Sequence, residues 1–119
     1  MDWEFISELN IFMIEHIRTA LNLADKPTAL ASDFKLSDDP TGRLIDICRA
    51  LGADTYLAGA GGHDYMDLEL FKKAGIKVIF QEYKHPEYAQ GGKTFVPYLS
   101  ALDLLFHCGP QKARSYFTQ

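Results

Sequence analysis

The stretch Thr55-Tyr56-Leu57-Ala58-Gly59-Ala60-Gly61-Gly62-His63-Asp64-Tyr65, followed after one helical interval by Gly75-Ile76-Lys77-Val78-Ile79-Phe80, decides the fold class. Thr55 to Ala58 and Ile76 to Phe80 are short, largely apolar runs bounded by turn residues, the pattern of buried strands. Between them Met66, Leu70, Phe71 and Ala74 recur at helical spacing, and Gly75 supplies a C-terminal stop. Strands joined through a helix pair in parallel, because only a parallel pair needs a crossover connection.

Upstream, the pattern repeats. Thr28-Ala29-Leu30-Ala31-Ser32 reads as a third short strand, stopping at Asp33 before a polar stretch. Asp39 caps the next helix, Pro40 fits its first position, Leu44, Ile45, Ile47, Cys48 and Leu51 form its inward face, and Gly52 ends it. From Trp3 to Leu23, Ile6, Leu9, Met13, Ile17 and Ala20 make an apolar stripe flanked by Trp3, Phe5, Phe12, Ile14 and Leu21. That arc, roughly 200° wide, exceeds the ~100° a helix needs to sit on one core.

Downstream, Pro86 and the Gly91-Gly92 pair forbid regular structure in an aromatic and polar loop over 81–95. Pro97 opens a helix predicted over 98–107, Gly109 and Pro110 close it, and a last short helix runs over 113–117. The order α-β-α-β-α-β-α-α predicts a single α/β domain over 1–119: a three-layer, Rossmann-like arrangement of about three parallel strands with helices on both faces. The long N-terminal helix over 1–24 stands outside the repeating pattern.

Composition narrows the function classes. The chain has 119 residues, 47% of them hydrophobic and 24% charged, which suits one globular core. A net charge of −4 with scattered cations argues against a nucleic-acid groove. No apolar run reaches the length of a membrane span, and the acids Asp2, Glu4, Glu8 and Glu15 are unlike a signal peptide, so a cytoplasmic protein is expected. Cys48 and Cys108 form no CxxC pair and sit in apolar helical patterns; both are read as reduced packing residues, with no metal site and no cofactor expected.

In parallel sheets ligands bind beyond the carboxyl ends of the strands. The loops that start there contribute Ser32 and Asp33, then Gly61, Gly62, His63, Asp64 and Tyr65, then Gln81, Tyr83 and His85. The glycines suggest an anion cradle at a helix N-terminus. Yet a dinucleotide fingerprint requires glycine where Asp64 stands, and the Lys-Ser/Thr ending of a P-loop is absent. Asp64 instead suits an acceptor for an amine or hydroxyl, with helix capping as its structural alternative and unusual glycine dihedrals as the structural role of the turn. His63 and Asp64 are the candidate catalytic pair.

Arg43 in the first turn of a helix faces the positive end of the dipole, so an acid (Asp33, Asp38, Asp39 or Asp46) or an anionic ligand is expected beside it, with Thr41 assisting. Ser100 and Asp103 share a face of the later helix and need partners, expected from the loop over 81–95. His107, near that helix's C-terminus, sits in a favourable dipole position.

Several segments in series carry a resemblance: Thr41-Gly-Arg-Leu-Ile-Asp-Ile-Cys48, Leu51-Gly-Ala-Asp-Thr-Tyr-Leu57, Gly59 to Asp67, Ala74-Gly-Ile76, and Phe95-Val-Pro-Tyr-Leu-Ser-Ala-Leu-Asp-Leu-Leu-Phe-His-Cys-Gly109. Together they resemble the C-terminal half of the WbqC-like family. The resemblance implies bacterial origin, a link to surface-polysaccharide gene clusters, and handling of sugar or amino-acid-derived building blocks. The aromatic-rich motif that opens full-length members is missing. His63 and His107 depart from the pattern, standing where a basic residue and an asparagine are expected.

Three functions follow as expectations. The first is a small-molecule-binding or accessory module without complete catalytic machinery. The second is an active transferase on an aminosugar or amino-acid-derived substrate, with Asp64 orienting an amine or hydroxyl, His63 moving a proton and Arg43 holding an anion. The third is a purely structural oligomer. The over-wide apolar arc predicts a homodimer through Trp3, Phe5, Leu9, Phe12 and Met13.

Overall fold

The computed structural model describes residues 3–117, so Met1 and Asp2 of the predicted N-terminal helix lie outside the described residues. The elements are α1 (Ile6–Ala20), a 3-10 turn (Ala31–Asp33), α2 (Pro40–Ala50), β1 (Thr55–Ala58), a second 3-10 turn (Ala60–Asp64), α3 (Leu68–Lys73), β2 (Lys77–Phe80) and α4 (Ala101–Ser115). They fall into two compact units, Thr28–Lys84 and the pair of segments Met1–Pro27 with His85–Gln119.

In the unit over 28–84, β1 and β2 pair in parallel with Thr55 opposite Lys77 and Ala58 opposite Phe80. The Lys77 N–H donates to the Asp54 carbonyl at 2.8 Å and the Gln81 N–H to the Ala58 carbonyl at 2.8 Å, extending the ladder past both strand ends. Strand side chains alternate between faces. Tyr56, Ala58, Val78 and Phe80 therefore point one way, into a core of Ile45, Cys48, Met66, Phe71 and Ile76, while Thr55, Leu57, Lys77 and Ile79 are exposed on the other.

Both helices that feed the strands end the same way. Gly52 and Gly75 take φ values of +65° and +73°, a conformation that favours glycine. Past Gly52, the Ala53 N–H reaches the Cys48 carbonyl at 2.8 Å; past Gly75, the Ile76 N–H reaches the Phe71 carbonyl at 3.0 Å. Each is a Schellman stop, and in the second Ile76 and Phe71 are also both buried, the apolar contact that accompanies the motif. At its other end α2 begins as expected: the Asp39 carboxylate accepts the Gly42 N–H at 2.6 Å, with Pro40 at the first position.

The parallel α/β expectation holds, with two corrections. Among the described residues the sheet has two strands, not three. Residues 28–30 are exposed and join no ladder; Asp33 N–H donates to the Leu30 carbonyl and Phe34 N–H to the Ala31 carbonyl, so the chain turns where a strand was expected. Alanine and serine dominate that stretch, and they lack the branched bulk that favours a pleated surface. Secondly, α2 and α3 both pack on the Tyr56/Ala58/Val78/Phe80 face, because the side chains they bury, Ile45, Cys48 and Phe71, converge there. Leu51, read as inward-facing, is exposed.

The other unit is built differently. Its buried core is Leu21, Tyr88, Leu104 and Ala113, with Ile17, Phe95, Leu105, Cys108 and Tyr116 packed around it. α1 itself has no buried residue. Ile6 and Met13, two members of the expected inward stripe, are exposed, while Leu9, Phe12 and Ile17 are half-buried. Asn22, at φ +53°, replaces glycine in a Schellman stop, with Leu23 N–H on the Arg18 carbonyl at 2.8 Å. Arg18 ties the same corner together: it pairs with Glu15 and donates to the Leu23 and Lys26 carbonyls.

The loop over 85–98 has no strand or helix, yet it is held by polar contacts. Tyr88 Oη donates to Asp103 Oδ2 at 2.8 Å and Gln90 Nε2 donates to the same oxygen at 3.0 Å. Gln90 also exchanges hydrogen bonds with the Val96 backbone, giving Nε2 to its carbonyl at 2.9 Å and taking its N–H at 2.8 Å. His107 Nδ1 lies 3.3 Å from Asp103 Oδ1, one turn along α4. Asp103 thus finds the loop partners expected of it. Ser100 does not: it is the N-cap of α4, accepting the Leu102 N–H at 3.2 Å.

That cap corrects the predicted start of the helix at Tyr98. Tyr98 sits at φ +61°, outside helical space, with its N–H donated to His85 Nε2 at 3.1 Å. Gly109, at φ +72°, breaks α4 as predicted, and the chain resumes helix at Pro110 rather than at Ala113. Both cysteines are free, and burial pushes the Cys48 thiol up.

Candidate functional site

The site begins where β1 and β2 end level with one another at Ala58 and Phe80. The turn after β1 folds as a 3-10 turn over Ala60–Asp64, closed by the Gly62 N–H on the Gly59 carbonyl at 2.9 Å. Its glycines do not supply unusual dihedrals, a correction to the sequence reading: none of Gly59, Gly61 and Gly62 has a positive φ. Gly62 is there for close approach. A Cβ on it would lie 2.9 Å from Met66 Sδ and 3.2 Å from both Ala58 Cβ and Phe80 Cε1. The amide of Gly62 is already used within the turn, which weakens an anion cradle further.

The packing of Gly62 under Phe80 sets the next residue. His63 stacks on the Phe80 ring with centroids 3.4 Å apart and planes within 16°. One face of the imidazole is covered by Phe80, and the residue as a whole remains exposed. Tyr65, 63% exposed, ends the turn. Burial, then the neighbouring Tyr65 and Cys48, push the Tyr56 phenol up.

Asp64 does not cap the following helix. That job belongs to Asp67, whose Oδ1 accepts the N–H groups of Glu69 at 3.0 Å and Leu70 at 3.1 Å. Asp67 is fixed from behind by its own N–H, donated to Thr41 Oγ1 at 3.1 Å. Thr41 is buried, and through this bond it clamps the start of α2 to the start of α3. The signal was present in the sequence: Asp67 precedes the helical run by one residue and Glu69 adds an acid to its first turn. Asp64 is left exposed, with no hydrogen-bond or ion-pair partner among the described residues.

The remaining predicted site residues are spread. Gln81 follows β2 directly, its amide on Ala58, and with His63 lies at the strand ends. Tyr83 is half-exposed two residues later. Asp33 is exposed in the first 3-10 turn and makes no ion pair with Arg43. Arg43 has no carboxylate within 4.0 Å among the described residues, contrary to the expected acid partner; its Nε donates to the Ser37 carbonyl at 3.3 Å. Asp46 instead accepts the Ser37 N–H at 3.0 Å.

His85 belongs to the other compact unit and is built into it. Its Nδ1 lies 2.9 Å from the Pro86 carbonyl and its Nε2 takes the Tyr98 N–H. Its ring packs against Tyr98 and Phe95, with centroids 4.9 and 5.8 Å away. Phe80, the platform under His63, escaped sequence reading because an aromatic at the end of a strand looks like core.

Among the described residues no group of three or more His, Cys, Asp or Glu side chains converges on a metal-sized space. Among the described residues no helix is long and apolar enough to cross a membrane. The arrangement offers an open edge where an imidazole held by ring stacking, a carboxylate and a phenol follow one another.

Comparison with known proteins places this geometry in a family. The model of the WbqC-like protein family matches residues 1–115. The chain is also similar to the uncharacterized protein Rv1507c of Mycobacterium tuberculosis (strain ATCC 25618 / H37Rv), 31% identical over 107 residues. That alignment covers 89% of this chain and 46% of the relative, so the chain spans about half the relative's length. No solved structure matches. A family model covering nearly the whole chain, together with this relative, shows that the chain belongs to the WbqC-like protein family.

Proposed function

We propose that the chain is a small-molecule-binding or accessory domain of bacterial surface-polysaccharide biosynthesis, acting in the cytoplasm, that receives a sugar or amino-acid-derived ligand at the turn from Gly59 to Tyr65. The observation that carries this reading is the freedom of Asp64. Asp67 has taken over the capping role, so the Asp64 carboxylate serves no structural purpose among the described residues. An exposed carboxylate accepts hydrogen bonds from amines and hydroxyls, the groups such ligands present. Gly61, Gly62, Tyr65 and Gln81 would line the ligand, with Asp33, Arg43 and Tyr83 reaching it from the neighbouring loops.

His63 beside Asp64 favours a second reading, an active transferase, in which His63 moves a proton from the amine or hydroxyl that Asp64 orients. A thermal-shift series with nucleotide sugars, aminosugars and amino acids tests both. A bound ligand raises the melting temperature with its occupancy, and Asp64→Ala abolishes the shift. Turnover of the bound ligand, lost in His63→Ala, selects the transferase. No shift with any member of the series rejects both.

The functional unit is proposed to be a homodimer through α1 and the residues before it. Phe5 and Ile6 are 58% and 72% exposed, and Met13 and Ile14 are exposed beside them. The Trp3 and Phe12 rings meet at a tilt of 52° with centroids 4.9 Å apart, which orders the end of this surface. Contiguous apolar exposure of this kind marks an interface. Sedimentation as a dimer at micromolar concentration supports it; a monomer for the wild type, or an unchanged dimer for Phe5→Glu with Met13→Glu, rejects it.

A further inference from the structure

β2 is an outer strand of the two-stranded sheet. Its Lys77 and Gln81 amides are given to β1, at Asp54 and Ala58. Main-chain groups alternate in direction along a strand in a parallel pair, so the N–H and C=O groups of Val78 and Phe80 point away from β1. Among the described residues no loop, turn or side chain hydrogen-bonds to them from that side. An unpaired edge of this sort is a template for another strand.

A groove of about 280 Å³ runs along the same edge. It is lined by Leu68, Phe71 and Lys72 of α3, by Ile76, and by Lys77, Val78 and Phe80 of β2. No residue of β1 lines it, which puts it on the free side of β2. Val78 and Phe80 project to the helix-covered face, whereas Lys77 projects to the opposite face. Neither Lys72 nor Lys77 has a carboxylate within 4.0 Å among the described residues, on a chain whose net charge is −4.

We propose that this edge binds an extended segment of a partner protein as a further strand. The segment alternates apolar and acidic residues. Its apolar side chains enter the groove beside Val78 and Phe80, and its carboxylates lie on the other face beside Lys77, because side chains of neighbouring strands align face by face. Main-chain hydrogen bonds to Val78 and Phe80 supply affinity, while the groove and Lys77 select the sequence. β2 carries no acidic residue over Lys77–Phe80, so a second copy of it offers Lys77 no complementary charge.

The test uses a short alternating valine–glutamate peptide and amide hydrogen exchange read by NMR. Saturating peptide is expected to slow exchange about tenfold or more at Val78 and Phe80, while Lys77 and Ile79, already in the ladder, change little. The alternating valine–lysine peptide is expected to bind about tenfold more weakly, and Lys77→Glu to reverse that preference. Val78→Pro removes an outward N–H that β1 does not use, so it should abolish binding while the Ile79 amide stays protected. Unchanged exchange at Val78 and Phe80 with peptide at about 1 mM overturns the proposal. So does equal affinity for the two peptides, or concentration-dependent protection of these amides without peptide, which would make a second copy the occupant. Should Val78→Pro fail to fold, the Lys77→Glu reversal decides alone.

Discussion

The two compact units hold themselves together by different means. The unit over 28–84 relies on apolar side chains meeting on one face of a regular ladder, with Phe71 at 1% exposure in its centre. The unit formed by the chain's two ends has fewer buried apolar side chains, and it organises a long irregular loop around one carboxylate, Asp103. Regular ladders satisfy their own backbone, so packing alone can carry the first unit. An irregular loop needs side chains to do that job, which is why Gln90 binds the Val96 backbone and His85 takes the Tyr98 amide.

The largest expected effect is therefore in the first unit. Phe71→Ala should cost about 3–5 kcal/mol, through lost burial and the cavity left behind. Urea denaturation measures it, and a loss under about 1 kcal/mol would mean that the core is not centred on Phe71. In the second unit the corresponding change is Asp103→Ala, which strands the Tyr88 hydroxyl and takes one of two acceptors from the Gln90 amide. It should cost about 1–3 kcal/mol and speed amide exchange at Val96, without altering exchange at Ile79. Faster exchange in both places would show that the contrast between the units is false.

Next comes Asp67→Ala, expected to cost about 1 kcal/mol as the loss of a helix cap. Smaller still is the response to alkali. Burial pushes Cys48 and Tyr56 up, and for Tyr88 burial and the hydrogen bond to Asp103 act in the same direction. A raised pKa in the folded state means that the folded protein holds its proton longer than the unfolded chain does. The associated stability is complete below the unfolded values, about pH 9 for the thiol and about pH 10 for the phenols, and declines as pH rises through the folded ones. A melting temperature that rises between those values would contradict the assignment.

How much of this was legible in the sequence follows the same division. β1, the capped start and glycine stop of α2, and the glycine end of α3 were readable because the signals that make them are local: apolar runs, Asp39-Pro40, Gly52 and Gly75. The missing third strand was a misreading of Ala29-Leu30-Ala31 as buried, when the run is exposed. The start of α4 was missed because Pro97 looked like a first helical residue, and nothing local announces that His85 holds Tyr98 in a left-handed conformation. Within the candidate site, the division of labour along the turn differs from the one expected. Asp64 and Asp67 are both plausible caps by residue type, and the tertiary contact from Thr41 to the Asp67 amide goes with one of them. Of the expected ligand residues, His63, Asp64, Tyr65 and Gln81 follow the strand ends. His85 serves the other unit.

The difference between those two aspartates is the centre of the functional reading, and thermal denaturation of Asp64→Ala beside wild type, without and with the sugar and amino-acid series, tests it most directly. Asp64→Ala is expected to melt within about 0.5 kcal/mol of wild type when free, the range of an unencumbered surface change, and to lose the ligand-induced shift. A loss as large as that of Asp67→Ala in the free protein, or a ligand shift that survives the substitution, would contradict it.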